Sequence, residues 1–298
     1  MKKRTLKLIV SALMVAMVGS VMIGCGSKPT TDSKAGTSGV TGSITVSGSS
    51  AILPLMEKAI EPYNKENPDA QISAQAGGSG TGLTQVSEGT VDIGNSDIFA
   101  EEKLDAAKAK ELVDHKVCAE GFGVAVSKSL GIDNLTSAQI KDIFSGKITN
   151  WKEVGGPDKS ILVIHRPSSS GTRATFTTVV LGKDKSAEND SLGVTQDANG
   201  SVLSAMKEND GAISYLGLAY MNTQEAKDAI KIVKLDGVAA EKANIIDGSY
   251  KFWSWGYMYT KGEAKGLAKD FIDYCTNKVD KSVLDDLGFV SGSEMKVK

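Results

Sequence analysis

The strongest constraint on this chain is a device that occurs three times: a short apolar strand, a turn of Ser, Thr and Gly, then a helix. It occupies 43–54, 71–83 and 160–174. In the first copy, Ser43 to Val46 reads as a strand, Ser49 or Ser50 as the N-cap, and Pro54 falls in the first helical turn. Leu55, Ala59, Ile60 and Tyr63 space one apolar helix face, and Asn67-Pro68 stops it. In the second copy, the strand Gln71 to Ala76 runs into Gly77-Gly78-Ser79-Gly80-Thr81-Gly82 and a short helix ending at Gly89. Val91 to Asn95 reads as a further strand, ending at Ser96-Asp97. Alternating strands and helices predict an α/β fold in which the carboxyl ends of the strands line a ligand crevice. Three helix N-termini then face one place.

The third copy carries the charge. The strand Ser160 to Ile164 enters His165-Arg166-Pro167-Ser168-Ser169-Ser170-Gly171-Thr172-Arg173-Ala174, and a helix is expected from Ala174 to Leu181. Beyond the N-terminal leader, Arg166 and Arg173 are the only arginines; every other cation is lysine. A guanidinium presents a planar fork of donors that matches carboxylate, phosphate or sulfate. Ser168, Ser169, Ser170 and Thr172 add hydroxyls, Gly171 permits close backbone approach, and the helix start adds unpaired N–H groups. The loop reads as an anion socket. The competing reading is an ordinary serine-rich cap whose arginines face water.

The glycine-rich turn at 77–82 fits no nucleotide or nucleophile motif. It lacks the Lys-Ser/Thr ending of a P-loop and the GxGxxG spacing. Thr81 stands where a nucleophile elbow around Ser79 would need glycine. A tight turn bringing backbone and Ser79 to a small ligand is the better account, against a mobile surface loop.

Residues 1–24 read as an address. Lys2, Lys3, Arg4 and Lys7 precede an apolar run from Leu8 to Ile23, shorter than the ~20 residues of a membrane span. Gly24-Cys25 ends it in the manner of a bacterial lipoprotein processing site, although Met22 replaces the usual leucine. Cys25 is the expected lipidated residue; a plain signal peptide or an uncleaved anchor are the alternatives. Residues 25–41 form a Gly/Ser/Thr-rich tether without apolar periodicity. Without residues 1–24 the chain holds 30 Lys+Arg against 36 Asp+Glu, a net charge of −6. It has no basic run and no aromatic stripe for nucleic acid, but local donors can still hold an anion. Cys118 and Cys275 could pair in an exported protein, yet each lies in an apolar stretch that suits a small buried hydrophobe. With two histidines, His115 and His165, and no Cys/His cluster, no metal site is expected.

At this point the chain resembles a family, the extracytoplasmic phosphate-binding proteins of phosphate-specific ABC transporters, built on the type II periplasmic-binding-protein fold. The segments GSSAILPLMEKAIEPY, GGSGTGL, VDIGNSD, LTSAQIKDIFSGKITNWKEVGG, HRPSSSGTRATF, GAISYLGLAY and DGSY occur in the family's order. The longest of them falls where structure and packing are expected rather than ligand contact. The resemblance implies Ser170, Gly171 and Thr172 as phosphate contacts, Arg166 as the salt-bridging arginine and Asp97 as the buried acceptor. Ser79 and the Ser50-Ala51 turn match the remaining donors, and Ala51 departs from a serine often found there. No cofactor is implied; the ligand is inorganic phosphate.

The same resemblance implies two α/β lobes with the ligand in the interlobe cleft. Lobe one would be 42–120 plus 244–298, and lobe two 121–243. GFGVAVS after Glu120 and DGSYKFWSWGYMYT after Ile246 are the candidate crossing strands. Asp97, Ser50 and Ser79 then come from one lobe and Arg166, Ser170 and Thr172 from the other, so binding would close the cleft. The implied protein is a lipid-anchored monomer on the outer face of the cell membrane that delivers phosphate to a permease, without catalysis. Alternatives are a receptor for sulfate or molybdate, a phosphate sensor or adhesin, and a serine hydrolase or phosphatase. The enzyme reading has only His115 and His165 as candidate bases, and His165 suits packing or capping at the strand end better.

Overall fold

A computed structural model describes residues 40–297. The leader, Cys25 and nearly all of the tether lie outside these residues. Twelve strands and ten α-helices are found among them. The first part of the chain alternates β1 (Gly42–Gly48), α1 (Leu53–Glu66), β2 (Ala70–Ala76), α2 (Ser79–Glu88) and β3 (Ile93–Ser96), followed by α3 (Ala106–Ala109). The long strand β4 (Leu112–Ser127) leads to β5 (Asn134–Leu135), α4 (Ser137–Phe144), β6 (Leu162–His165), α5 (Gly171–Val179) and β7 (Val194–Thr195). Then come α6 (Asn199–Lys207), β8 (Ala212–Gly217), α7 (Gln224–Ala229), β9 (Ile230–Ile232), β10 (Lys234–Leu235) and α8 (Lys242–Ile246). The return is made by β11 (Trp253–Lys261), α9 (Gly266–Asn277), α10 (Lys281–Leu287) and β12 (Phe289–Ser291).

The main sheet runs β2-β1-β3-β11-β4-β8-β6-β7, with β9 and β12 also paired to β4. Strand β4 organises it. Its first half pairs antiparallel with β11, from Leu112 opposite Lys261 to Gly121 opposite Trp253. Its second half pairs antiparallel with β8, from Phe122 opposite Gly217 to Val126 opposite Ile213. The architecture is α/β, with two sides joined through β4 and β11. On one side β1 is parallel to β2 and β3; on the other β6 is parallel to β7 and β8. Parallel strands point their carboxyl ends the same way, which gathers the turns that follow them.

Each side has its own apolar core. Leu55, Met56, Ala59 and Tyr63 of α1 pack with Ile44, Val46, Met258, Phe271 and Phe289. Cys118 and Cys275 belong to this cluster as buried free thiols, so no disulfide joins them. The other core holds Phe122, Phe144, Trp151, Phe176 and Tyr215, with Phe176 stacked on Tyr215 at a centroid distance of 4.1 Å. The LTSAQIKDIFSGKITNWKEVGG segment builds this second core. Thr136 caps α4 in a reciprocal box with Gln139, Ile140, Ile143 and Phe144 face inward, and Trp151 Nε1 donates to the Gly211 carbonyl at 3.0 Å. No helix of the described residues is long and apolar enough to cross a membrane.

Two starts differ from expectation. The N-cap of α1 is Ile52, without a side-chain bond, because Ser49 Oγ accepts from Ala51 N–H and Ser50 Oγ is taken by Arg166. Helix α5 begins at Gly171, three residues early, because Ser170 Oγ accepts from Arg173 N–H and caps it.

Candidate anion-binding site

Four strand ends supply the site. Ser49 to Ala51 follow β1, Gly77 to Ser79 follow β2, Asp97 follows β3, and Arg166 to Thr172 follow β6. Ser50, Ser79, Asp97, Arg166, Ser170 and Thr172 are all buried despite being polar. Buried polar groups need partners, and the partners here are largely one another.

Asp97 lies at the centre and is 3 % exposed. Its N–H donates to Ser79 Oγ at 3.0 Å, and Thr172 Oγ1 donates to its Oδ2 at 3.4 Å. Its Oδ1 meets no N–H or hydroxyl donor among the described residues. Burial pushes this carboxyl above its ordinary pKa, opposed by Glu120, Ser49, Arg166 and Thr172.

Arg166 is 1 % exposed. Nε donates to the Gln196 carbonyl at 3.1 Å, while Nη2 donates to the Asp197 carbonyl at 3.0 Å and to Ser50 Oγ at 3.3 Å. Nη1 is buried without a partner among the described residues. Burial lowers the guanidinium below its ordinary value, with Tyr215 and Asp97 opposing. A buried cation with an unused donor fits an incoming anion.

The facing turns pack closely. Gly80 N–H donates to the Ser169 carbonyl at 2.9 Å, and a Cβ at Gly78, whose φ is +83°, would lie 2.8 Å from that carbonyl oxygen. A Cβ at Gly171 would lie 2.8 Å from Ser79 Cβ and 2.9 Å from Asp97 Oδ2. Only glycine fits at Gly171. The first-turn N–H groups of α5, from Gly171 and Thr172, have no intrahelical acceptor and open at this same point.

Ala51 contributes least polar chemistry. Its side chain joins the core and its N–H is bonded to Ser49 Oγ at 3.0 Å. Ser50 ties the turn after β1 to distant parts of the chain: Oγ accepts from Arg166 and from Asn199 N–H and Nδ2 at 3.1 and 2.9 Å. Asn199, Tyr220 and Glu120 were not singled out by sequence. Asn199 Oδ1 also accepts from Gly217 N–H at 2.9 Å, and the Tyr220 hydroxyl donates to the Ser50 carbonyl at 2.7 Å. Glu120 is a carboxyl inside an apolar strand segment, and that pattern alone could have flagged it.

Behind the loop, Arg173 meets Glu188 Oε2 through Nε at 3.1 Å and Asp190 Oδ1 through Nη2 at 2.8 Å. His165 Nδ1 meets Glu188 Oε1 at 3.0 Å, and the Tyr215 hydroxyl donates to the same oxygen at 2.7 Å. His165, Glu188 and Asp190 are close enough to share a metal ion, but the Arg173 guanidinium already bridges both carboxylates. His165 also packs edge-on against Phe144, and its contacts are with Glu188 rather than with a serine. The site therefore combines one fixed cation, several hydroxyl and backbone donors, and one carboxylate acceptor.

The PBP superfamily domain model matches residues 33–279. The Phosphate-binding protein PstS of Bacillus subtilis is 44 % identical over 99 % of this chain and 96 % of its own length. This chain belongs to the PstS family of phosphate-binding proteins. The Staphylococcus saprophyticus PstS is 34 % identical over 93 % of this chain and 88 % of its own. Among solved structures, a Clostridium perfringens substrate-binding protein assigned to phosphate ABC transport, with bound phosphate, superposes with a TM-score of 0.75. It is 29 % identical and covers 84 % of this chain and 99 % of its own.

Proposed function

We propose that the chain is an extracytoplasmic receptor that captures inorganic phosphate in the interlobe cleft and delivers it to the permease of an ABC transporter. It is a binding protein rather than an enzyme, as its PstS relatives are. The observation that carries the ligand assignment is the pairing of an unpartnered Arg166 Nη1 with an acceptor-only Asp97 in one buried site. Arg166 supplies charge for an oxyanion, and Asp97 requires a ligand that still holds a proton. Ser50, Ser79, Ser170, Gly171 and Thr172 supply donors around it, with Ala51 holding the turn. One charge-assisted bond contributes about 1.5–3 kcal/mol and micromolar binding needs roughly 8 kcal/mol, so a few such contacts suffice. The lobes are taken as 42–120 plus 244–298 and 121–243, with phosphate bridging them.

Cys25 is the proposed lipid attachment point, tethering a monomer to the outer face of the membrane. Replacing Cys25 by Ala should release the protein from washed membranes and leave phosphate binding intact; retention of the variant would overturn the anchor. The ligand is tested by calorimetric titration of residues 26–298 with phosphate, sulfate, molybdate and phosphonates. Saturable binding of phosphate alone is the expected result, and tighter binding of sulfate or molybdate would replace the assignment.

A further inference from the structure

The cleft holds a second carboxyl. Glu120 lies on β4 just before its partner changes from β11 to β8, and it is 1 % exposed. Both of its oxygens lack an N–H or hydroxyl donor among the described residues, as does Asp97 Oδ1. Asp97 follows Ser96, which pairs with Tyr257 of β11, and a Cβ on the neighbouring Gly256 would lie 3.6 Å from Glu120 Oε1, so β11 sets the two carboxyls side by side and each acts on the other. Two buried carboxylates cannot face one another unless a proton lies between them.

The surroundings decide which one keeps it. Asp97 has Thr172, Ser49 and the Arg166 charge on its side. Glu120 stands beside Gly256 of β11, near Ile52 and the Cys118 thiol, and opposite Phe289 of β12. Cys118 on its own strand and Tyr220 from the segment after β8 are the other titratable groups it feels, and neither is a cation. Burial and the neighbouring Asp97 hold Glu120 well above the usual carboxyl range.

We propose that Glu120 is a positioning residue: carrying a proton, it donates to Asp97 and so holds Asp97 ionised and oriented as the acceptor for the ligand's own hydroxyl. The role rests on the phosphate reading given above and deepens it. With Glu120 neutral, the site carries one carboxylate and one guanidinium rather than two carboxylates and one guanidinium. An incoming dianion then meets less negative charge, and Asp97 cannot turn away from it. The proton on Glu120 is committed to Asp97, so the proton that Asp97 accepts must come with the ligand.

Infrared spectroscopy of the ligand-free wild type at pH 8 tests this directly. Exposed carboxyls are ionised there, so the C=O stretch of a protonated carboxylic acid should report Glu120 and shift when inorganic phosphate is added. Glu120→Gln should abolish the band and, because its amide also donates, keep phosphate affinity within about threefold. Glu120→Leu should lose roughly 10- to 100-fold, the cost of a buried acceptor left without its donor. Absence of the band in the ligand-free wild type overturns the role, whether or not any variant folds. Equal losses in the Gln and Leu variants overturn it too, since rescue by a neutral donor is its signature. A wild type that shows the band but ignores phosphate overturns the functional reading instead.

Discussion

Arg173 Nη1 donates to the main-chain oxygen of Arg166 at 2.5 Å, so one arginine of the loop holds the other in place. The two have different tasks. Arg166 is buried in the cleft with a spare donor, while Arg173 lies behind the loop against Glu188 and Asp190. Arg166→Lys should weaken phosphate binding roughly 10- to 100-fold, the loss of one charge-assisted contact, because an ammonium cannot keep the carbonyl bonds and reach the ligand together. Arg173→Lys should cost binding less but lower stability by about 1–3 kcal/mol, since the buried Glu188 loses a forked partner. Calorimetry and urea unfolding of both variants check the division; a larger affinity loss at Arg173 reverses it.

Much of this division could be read before folding. The strand-turn-helix device placed Ser79, Asp97, Arg166 and Thr172 at strand ends because strand period and cap chemistry are local signals. The apolar flanks of Cys118 and Cys275 likewise pointed to burial, and both are free thiols in one core. Residues whose meaning is set by a distant partner were not legible. Ser50 looked like a helix cap, yet its oxygen serves Arg166 and Asn199, 116 and 149 residues away. Glu120 could be given no role until β4 was seen to place it beside Asp97. Asn199 was hidden for the same reason: of its partners, Ser50 follows β1 and Gly217 ends β8.

Gly171→Ala should separate closure from folding. The added methyl would sit within 3 Å of Ser79 Cβ and Asp97 Oδ2, groups that follow β2 and β3. Overpacking of this kind costs about 1–3 kcal/mol, and on the proposed closure it falls on the phosphate-bound form rather than on an open one. Phosphate affinity should drop roughly 10- to 100-fold, with the melting temperature of the ligand-free protein nearly unchanged. Small-angle scattering supplies the second readout: phosphate should compact the wild type and not the variant. A variant that compacts normally shows that the facing turns have room to give.

Glu120 also sets a pH dependence of stability with a definite sign. Its folded pKa is raised, by burial first and Asp97 second, so the folded chain keeps a proton that the unfolded chain releases above about pH 4.3. Fewer protons on the unfolded state mean that stability falls as pH rises from that value toward the folded pKa, by at most about 1.4 kcal/mol per pH unit for one proton. Glu120→Gln has no such proton to hold. Its melting temperature should exceed that of the wild type at pH 8 and converge with it near pH 4. A wild type that loses no ground on the variant between those pH values leaves Glu120 ionised in the fold, contrary to its surroundings.

The sharpest expectation concerns Asp97 and the choice between phosphate and sulfate. Near neutral pH both the mono- and dianion of phosphate carry a proton that can be donated to a carboxylate. Sulfate has none, so its oxygen would face the buried Asp97 lone pair to lone pair. A site built around one such hydrogen bond can reject an analogue lacking it by ~10⁴–10⁵. Wild type should therefore bind phosphate across about pH 6–8 and ignore sulfate. Asp97→Asn should admit sulfate measurably, because the amide removes the charge and can turn its N–H₂ toward either anion. Arsenate, which keeps a proton as phosphate does, should bind both forms. Molybdate, deprotonated like sulfate, should follow sulfate. Competition calorimetry with the four anions decides it: sulfate binding comparable to phosphate in the wild type would remove Asp97 as the discriminator and leave selection to the size and donor geometry of the cleft.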